Sequence, residues 1–113
     1  MIGYIVEGKS DEVKLRMVEK QAYVVVLNGI QFGPEQREKI EYALEMCDTV
    51  YILTDPDSAG DYIAKKIQTT YPFIERIHVN PDEAKVLKKR GYKYGVEHCS
   101  NAYLRRILYP HAN

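Results

Sequence analysis

The chain has 113 residues, 45% of them hydrophobic and 28% charged, which is ordinary usage for one domain with a single core and leaves no tract biased enough for disorder. Its formal net charge is zero, yet Ala84 to Arg106 holds seven bases (Lys85, Lys88, Lys89, Arg90, Lys93, Arg105 and Arg106) against one acid, Glu97, so the average does not exclude a phosphate-rich partner. The longest apolar stretch, Tyr23 to Leu27, is too short for a membrane helix, and Cys47 and Cys99 match no zinc or redox spacing, so a reduced, cytoplasmic protein with no membrane partner is expected.

In chain order, Ile2 to Val6 reads as a strand, followed by Glu7-Gly8-Lys9-Ser10-Asp11 and a helix over Ser10 to Lys20 with Ser10 as its cap. A second strand, Tyr23 to Leu27, ends in Asn28-Gly29. Gly33-Pro34 then opens a helix to Met46, with Pro at an N1-like position. Val50 to Leu53 reads as the third strand, closed by Asp55-Pro56-Asp57, and Ser58 to Thr70 as a helix capped by Ser58. Ile74 to Val79 is the fourth strand.

Beyond it, Asp82-Glu83 is expected to open a short helix through Lys89, stopped at Arg90-Gly91. Tyr94 to Val96 reads as a short strand and Ser100 to Leu108 as a last helix, with 109–113 a loose tail. Strands that are nearly all apolar and alternate with helices predict an α/β fold. A four-stranded, mainly parallel, Rossmann-like sheet with helices on both faces is expected, as a single domain over 1–113.

In such a sheet ligands bind beyond the carboxyl ends of the strands, where Glu7, Asn28-Gly29, Asp55 and Asp57 all fall. Two aspartates one residue apart suit a hard divalent ion, because carboxylate oxygens match Mg²⁺ or Mn²⁺ and the ion relieves their repulsion. Glu7 completes the set if the first and third strands are near neighbours. Pro56 restrains the backbone between the aspartates, and Gly60 lets the following helix approach closely. Such a site fills its remaining coordination with water and phosphate oxygens, pointing to phosphodiester or phosphoanhydride chemistry. A turn or helix cap is the plainer use of either motif alone.

Glu7-Gly8-Lys9-Ser10-Asp11 resembles the first motif of Toprim domains, the catalytic module of topoisomerases, bacterial primases and related nucleases. Asp55-Pro56-Asp57-Ser58-Ala59-Gly60 resembles their DxDxxG motif, in the same order and placement, and Asn28-Gly29 is similar to the turn after their second strand. Gly95-Val96-Glu97-His98-Cys99 is similar to the GVEHA segment of the Toprim subfamily that trims precursor 5S ribosomal RNA, ribonuclease M-five, with Cys99 where alanine is usual. The resemblance runs from Ile5 to about Leu108.

What it implies is a Mg²⁺-dependent endoribonuclease, or its catalytic Toprim domain, using one or two ions, with Mn²⁺ able to substitute. Glu7 becomes the general acid or base that also touches metal, and Asp55 and Asp57 the principal metal ligands. Asp11 is either a ligand for a second ion or a carboxylate favouring its helix dipole. Gly8 and Gly60 keep the backbone close to phosphate, and Lys9 contacts it, with Asn28, Lys88, Lys89 and Arg90 as further nucleic-acid contacts. Glu97 and His98 are additional candidates at the rim, or merely stabilise a turn.

The expected partner is RNA rather than DNA. Because the subfamily carries a further carboxy-terminal domain, docking is expected to draw on that domain or on a ribosomal protein. A partner-dependent or non-catalytic nucleic-acid-binding Toprim module, a DNA nuclease or primase-related Toprim protein, and a small-molecule phosphohydrolase are the competing readings.

Overall fold

The computed structural model describes residues 1–111. Four strands, β1 (Ile2–Val6), β2 (Tyr23–Val26), β3 (Thr49–Ile52) and β4 (Glu75–Arg76), form one sheet in the order β2-β1-β3-β4. All its pairings are parallel, with Tyr4 opposite Val24 on one side and Tyr51 on the other. The α/β expectation and the parallel sheet hold. The fourth strand is shorter than Ile74 to Val79: Glu75–Arg76 pair with β3, the Ile77 N–H makes one further bond to the Ile52 carbonyl at 2.9 Å, and the chain then leaves the sheet with Ile77 and Val79 buried in the core.

Helices α1 (Lys9–Val18), α2 (Pro34–Met46) and α3 (Ser58–Thr70) supply the crossovers. Apolar side chains of strands alternate between two cores. Tyr4, Val6 and Leu53 pack with Leu15 of α1 and with Tyr103, Leu104 and Leu108 of the last helix (Asn101–Leu108). Ile5, Val25 and Ile52 pack on the other face with Ile40 and Ala43 of α2 and Ile63, Ala64 and Ile67 of α3. At the outer edge of the sheet, Lys39 Nζ donates to the carbonyl of Val26 at 3.2 Å, placing a charge on an otherwise open strand edge.

Two caps differ from the expected ones. Gly8, not Ser10, is the N-cap of α1, and its N–H donates to Asp11 Oδ2 at 3.1 Å. Asp57, not Ser58, caps α3 through its Oδ1, which accepts from the Gly60 N–H at 2.7 Å. In both places a carboxylate binds an orphan donor of the first turn.

The segment after β4 corrects the sequence reading. Asn80 caps a single turn, α4 (Pro81–Ala84), and the chain then leaves the helix to form a hairpin, β5 (Lys85–Lys88) and β6 (Gly91–Tyr94). The expected helix through Lys89 and strand over Tyr94 to Val96 are therefore replaced by two antiparallel strands and a 3-10 turn at Val96–His98. A helix of two turns with an exposed, lysine-rich surface has little to bury, whereas pairing with 91–94 satisfies the backbone. Gly91, at φ 111°, makes the reversal possible. The last helix, α5 (Asn101–Leu108), follows its Ser100 cap. Nor are 109–111 a loose tail: Tyr109–His111 form a 3-10 turn, and the His111 ring packs edge-on against Tyr51 at 4.8 Å between centroids. The last two residues of the expected tail lie outside the described residues.

Candidate active site

From β1, α1 leads to β2 on one side; from β3, α3 leads to β4 on the other. The carboxyl ends of these adjacent strands therefore border a crevice where the chain direction diverges, the place where open α/β sheets bind ligands. Glu7 ends β1 and Asp55 follows β3. Parallel pairing continues past the strands, the Leu53 N–H donating to the Ile5 carbonyl at 2.8 Å, and this holds the two exits side by side.

The acids are tied together by backbone donors. Glu7 Oε2 accepts from the Asp55 N–H at 2.7 Å, and Asp55 Oδ1 accepts from the Val96 N–H at 2.7 Å. Asp57 lies at the start of α3 with Oδ1 on Gly60. Each carboxylate thus spends one oxygen on positioning. Glu97 follows Val96 and stands at the rim, 3.4 Å from His98 Nε2. The GVEH segment is consequently part of the site through its backbone as well as its side chains: the Val96 N–H orients Asp55, and the Gly95 N–H is anchored on the Ala84 carbonyl at 3.0 Å.

Burial, and after it the crowding of like charges, raises the proton affinities of the cluster. Burial pushes the Glu7 carboxyl up to about 7, opposed by the Asp55 N–H and reinforced by the charges of Asp55 and Asp57. Asp55 is raised as well, mainly by burial, with the Val96 N–H opposing and the charge of Asp57 adding to the rise. Asp11 is only 6% exposed; burial raises it to about 7, with Asp55 and Glu97 adding repulsion and the Gly8 N–H opposing. Asp11 therefore faces the cluster while serving its own helix terminus.

Among the described residues, no three His, Cys, Asp or Glu side chains close into a metal cage. The donor chemistry nevertheless fits a hard divalent ion. Mg²⁺ keeps several waters and takes only one or two carboxylates beside phosphate oxygens, so an open pair of aspartates is sufficient. Arg76 does not neutralise the cluster: it donates to Asp61 Oδ1 at 2.7 Å and to the backbone carbonyl of Asp55 at 3.1 Å.

Arg76 and Thr54 are the positioning residues that sequence reasoning missed. Thr54 is buried and its hydroxyl donates to the Gly60 carbonyl at 3.0 Å, while the Arg76 side chain, 11% exposed, braces the Asp55 backbone from β4. Gly60 itself is indispensable to this loop, because a Cβ there would overlap the Asp55 carbonyl oxygen.

The other candidates separate. Asn28, at φ 63°, and Gly29 form the turn beside β1, with the Gly29 N–H donating to the Glu7 carbonyl at 3.0 Å. Lys9 Nζ pairs with Glu12 at 3.1 Å along α1. Lys88, Lys89 and Arg90 lie at the exposed far end of the hairpin, whose near end adjoins Gly95. They are carried on an arm rooted at the site rather than placed within it.

The family model for the Toprim domain matches residues 3–86. The chain is similar to Ribonuclease M5 of Listeria monocytogenes, 35% identical over 104 residues that make up 92% of this chain and 52% of that protein. Ribonuclease M5 of Bacillus anthracis is 34% identical, over 92% of this chain and 54% of its own length. The chain thus spans about half the length of these curated relatives. A solved small TOPRIM domain protein from Bacillus stearothermophilus shares the fold with a TM-score of 0.75, over 97% of this chain and 84% of that one, at 22% identity.

Proposed function

Because the chain belongs to the Toprim domain family, we propose that it is the catalytic unit of a divalent-ion-dependent endoribonuclease hydrolysing phosphodiester bonds in structured RNA. The observation that carries this reading is the meeting of Glu7 and Asp55 through a 2.7 Å hydrogen bond at the carboxyl ends of adjacent parallel strands, with Asp57 at the start of the helix that follows. Similarity to the two Ribonuclease M5 proteins supports RNA as the substrate, precursor 5S ribosomal RNA in particular, and a cytoplasmic site of action is part of the same proposal.

Asp55 and Asp57 are the residues to hold the ion, Mg²⁺ or Mn²⁺, with Glu7 beside them; Asp11 is kept for its helix terminus. When bound, the ion supplies charge stabilisation to the phosphoryl oxygens and favours an in-line displacement. Glu7, protonated at neutral pH more readily than an ordinary glutamate, delivers a proton to the departing sugar oxygen or takes one from the attacking water. The Asp55 N–H fixes the Glu7 carboxyl for that transfer. The Val96 N–H holds Asp55 in place at the crevice. His98 and Glu97 edge the site, where an imidazole suits a phosphate contact.

The hairpin extends this site. Lys85, Lys88, Lys89, Arg90 and Lys93 carry its charge with no acid between Lys85 and Tyr94, matching an RNA backbone rather than a protein core. The same proposal has docking onto the natural substrate draw on a ribosomal protein or a further carboxy-terminal domain as well.

End-labelled structured RNA and DNA, incubated with the chain over a Mg²⁺ and Mn²⁺ series, test the proposal. RNA cleavage that requires the ion is expected. Cleavage of DNA alone transfers the site to a DNA nuclease, and tight binding without cleavage in any divalent ion makes it a binding module.

A further inference from the structure

β2 is an outermost strand of the sheet and has β1 on one side only. In a parallel pair, alternate residues turn their backbone groups toward the neighbouring strand. The Leu27 N–H goes to the Val6 carbonyl, so Tyr23, Val25 and Leu27 face β1, and Ala22, Val24 and Val26 face outward. Two cations close the ends of this outward row: Arg16 Nη1 donates to the Ala22 carbonyl at 3.0 Å and Lys39 Nζ to the Val26 carbonyl at 3.2 Å. Between them, the N–H and C=O of Val24 and the N–H of Val26 point away from the sheet, in the pattern that an added strand would pair with.

Beside this edge lies a hollow of about 570 Å³, lined by residues 23–26 and by Glu35, Glu38, Lys39 and Tyr42 of α2. Tyr42 is 53% exposed and its ring lies 6.4 Å from that of Tyr23, a ledge on which an apolar side chain can settle. Glu38 and Tyr42 also line an adjoining hollow of about 360 Å³, together with Glu41, Glu45 and Arg37. Across the two hollows four carboxylates stand against two cations, Lys39 and Arg37. Such a surface repels phosphate and attracts a cationic partner.

We propose that this edge takes an extended, basic segment of a partner protein as a fifth strand of the sheet. Its main chain pairs with Val24 and Val26, an apolar side chain rests on Tyr23 and Tyr42, and lysine or arginine side chains meet Glu35 and Glu38. In strand addition of this kind the main-chain bonds supply affinity and the alternate side chains supply selectivity. The capped carbonyls of Ala22 and Val26 set the length of the paired stretch. No residue of the Glu7, Asp55 and Asp57 crevice takes part, so the edge serves a protein partner whether or not the crevice cleaves RNA.

The probe is a fluorescein-labelled peptide, Lys-Thr-Val-Lys-Thr-Val-Lys-Thr, compared by anisotropy with the same peptide carrying Glu for Lys. At low salt the basic peptide is expected to bind about tenfold tighter or better. N-methylation of its two central residues, which blocks both edges of the peptide and leaves its charge unchanged, should abolish binding. Amide exchange followed by NMR should slow at Val24 and Val26 when the peptide is added, and not at Val25, whose backbone already faces β1. The variant Glu35→Gln/Glu38→Gln, at exposed positions, is expected to melt as the unaltered chain does and to lose the preference for the basic peptide. A basic peptide that binds no better than the acidic one, binding that survives N-methylation, or a variant that keeps the preference overturns the proposal. Protection of Val24 and Val26 by structured RNA, or in a dimeric chain without peptide, also overturns it and gives the edge to RNA or to a second copy.

Discussion

Asp57 accepts the Gly60 N–H at Oδ1 and so closes the first turn of α3, and the same bond fixes its carboxylate beside Glu7 and Asp55. Gly60 is constrained more severely. Gly60→Ala forces the new Cβ against the Asp55 carbonyl, so either the loop or the helix must move; a loss of about 1–3 kcal/mol in denaturant unfolding is expected, with displacement of Asp55. Unchanged stability in that variant contradicts the loop as described. Glu7 and Asp11 give a pH signature. Folding raises both carboxyls from the ordinary range to about 7, so the folded chain holds protons that the unfolded chain has released. That contribution is fully present below the unfolded values, near pH ~4, and is lost as the pH rises through about 7. In EDTA, the melting temperature should therefore fall by several degrees between about pH 5 and pH 8, and Asp11→Asn should flatten the fall. A fall of the same size in Asp11→Asn would show that Asp11 is not a source of it.

The elements show what the chain discloses of itself and what it withholds. β1 and β3 are legible because each is an apolar run stopped by acid, and α3 because Ser58 to Thr70 keeps one apolar face; its observed bounds are the expected ones. That β1 and β3 are neighbours is not written in either segment, since strand order arises from how the crossovers pack, and only this adjacency makes Glu7 and Asp55 partners. Lys85 to Lys89 misleads for a local reason. Lysine and leucine favour helices, while the hairpin is decided by Gly91 and by partners further along the chain, Tyr94 opposite Lys85 and Lys93 opposite Val86. Arg76 and Thr54 leave no sequence signal, because bracing a backbone carbonyl from an adjacent strand has no motif. The hairpin, with Leu87 69% and Tyr92 54% exposed, extends from a root where the Gly95 N–H meets the Ala84 carbonyl. Replacing Lys88, Lys89 and Arg90 together by Ala should weaken RNA binding and reduce the slope of log affinity against log salt by about 0.7–0.9 for each phosphate no longer neutralised. An unaltered slope would place those residues away from the RNA.

At the scale of the whole molecule, a parallel sheet puts its acids at one edge and a basic hairpin beside them. The chain's neutral net charge hides this separation, because an average over sequence carries no information about which surface a charge occupies. The proposed hydrolysis falls to the crevice of Glu7, Asp55 and Asp57, and the initial rate of RNA cleavage in a Mn²⁺ titration, for the unaltered chain and for Asp57→Asn, puts that proposal to the test. Asparagine keeps an oxygen for the Gly60 cap and removes the charge. We expect a rate that rises with Mn²⁺, vanishes in EDTA, and falls by about a thousandfold or more in Asp57→Asn with little change in melting temperature, a loss of about 4 kcal/mol in transition-state stabilisation. Cleavage that persists in EDTA, or at full rate in Asp57→Asn, would contradict it.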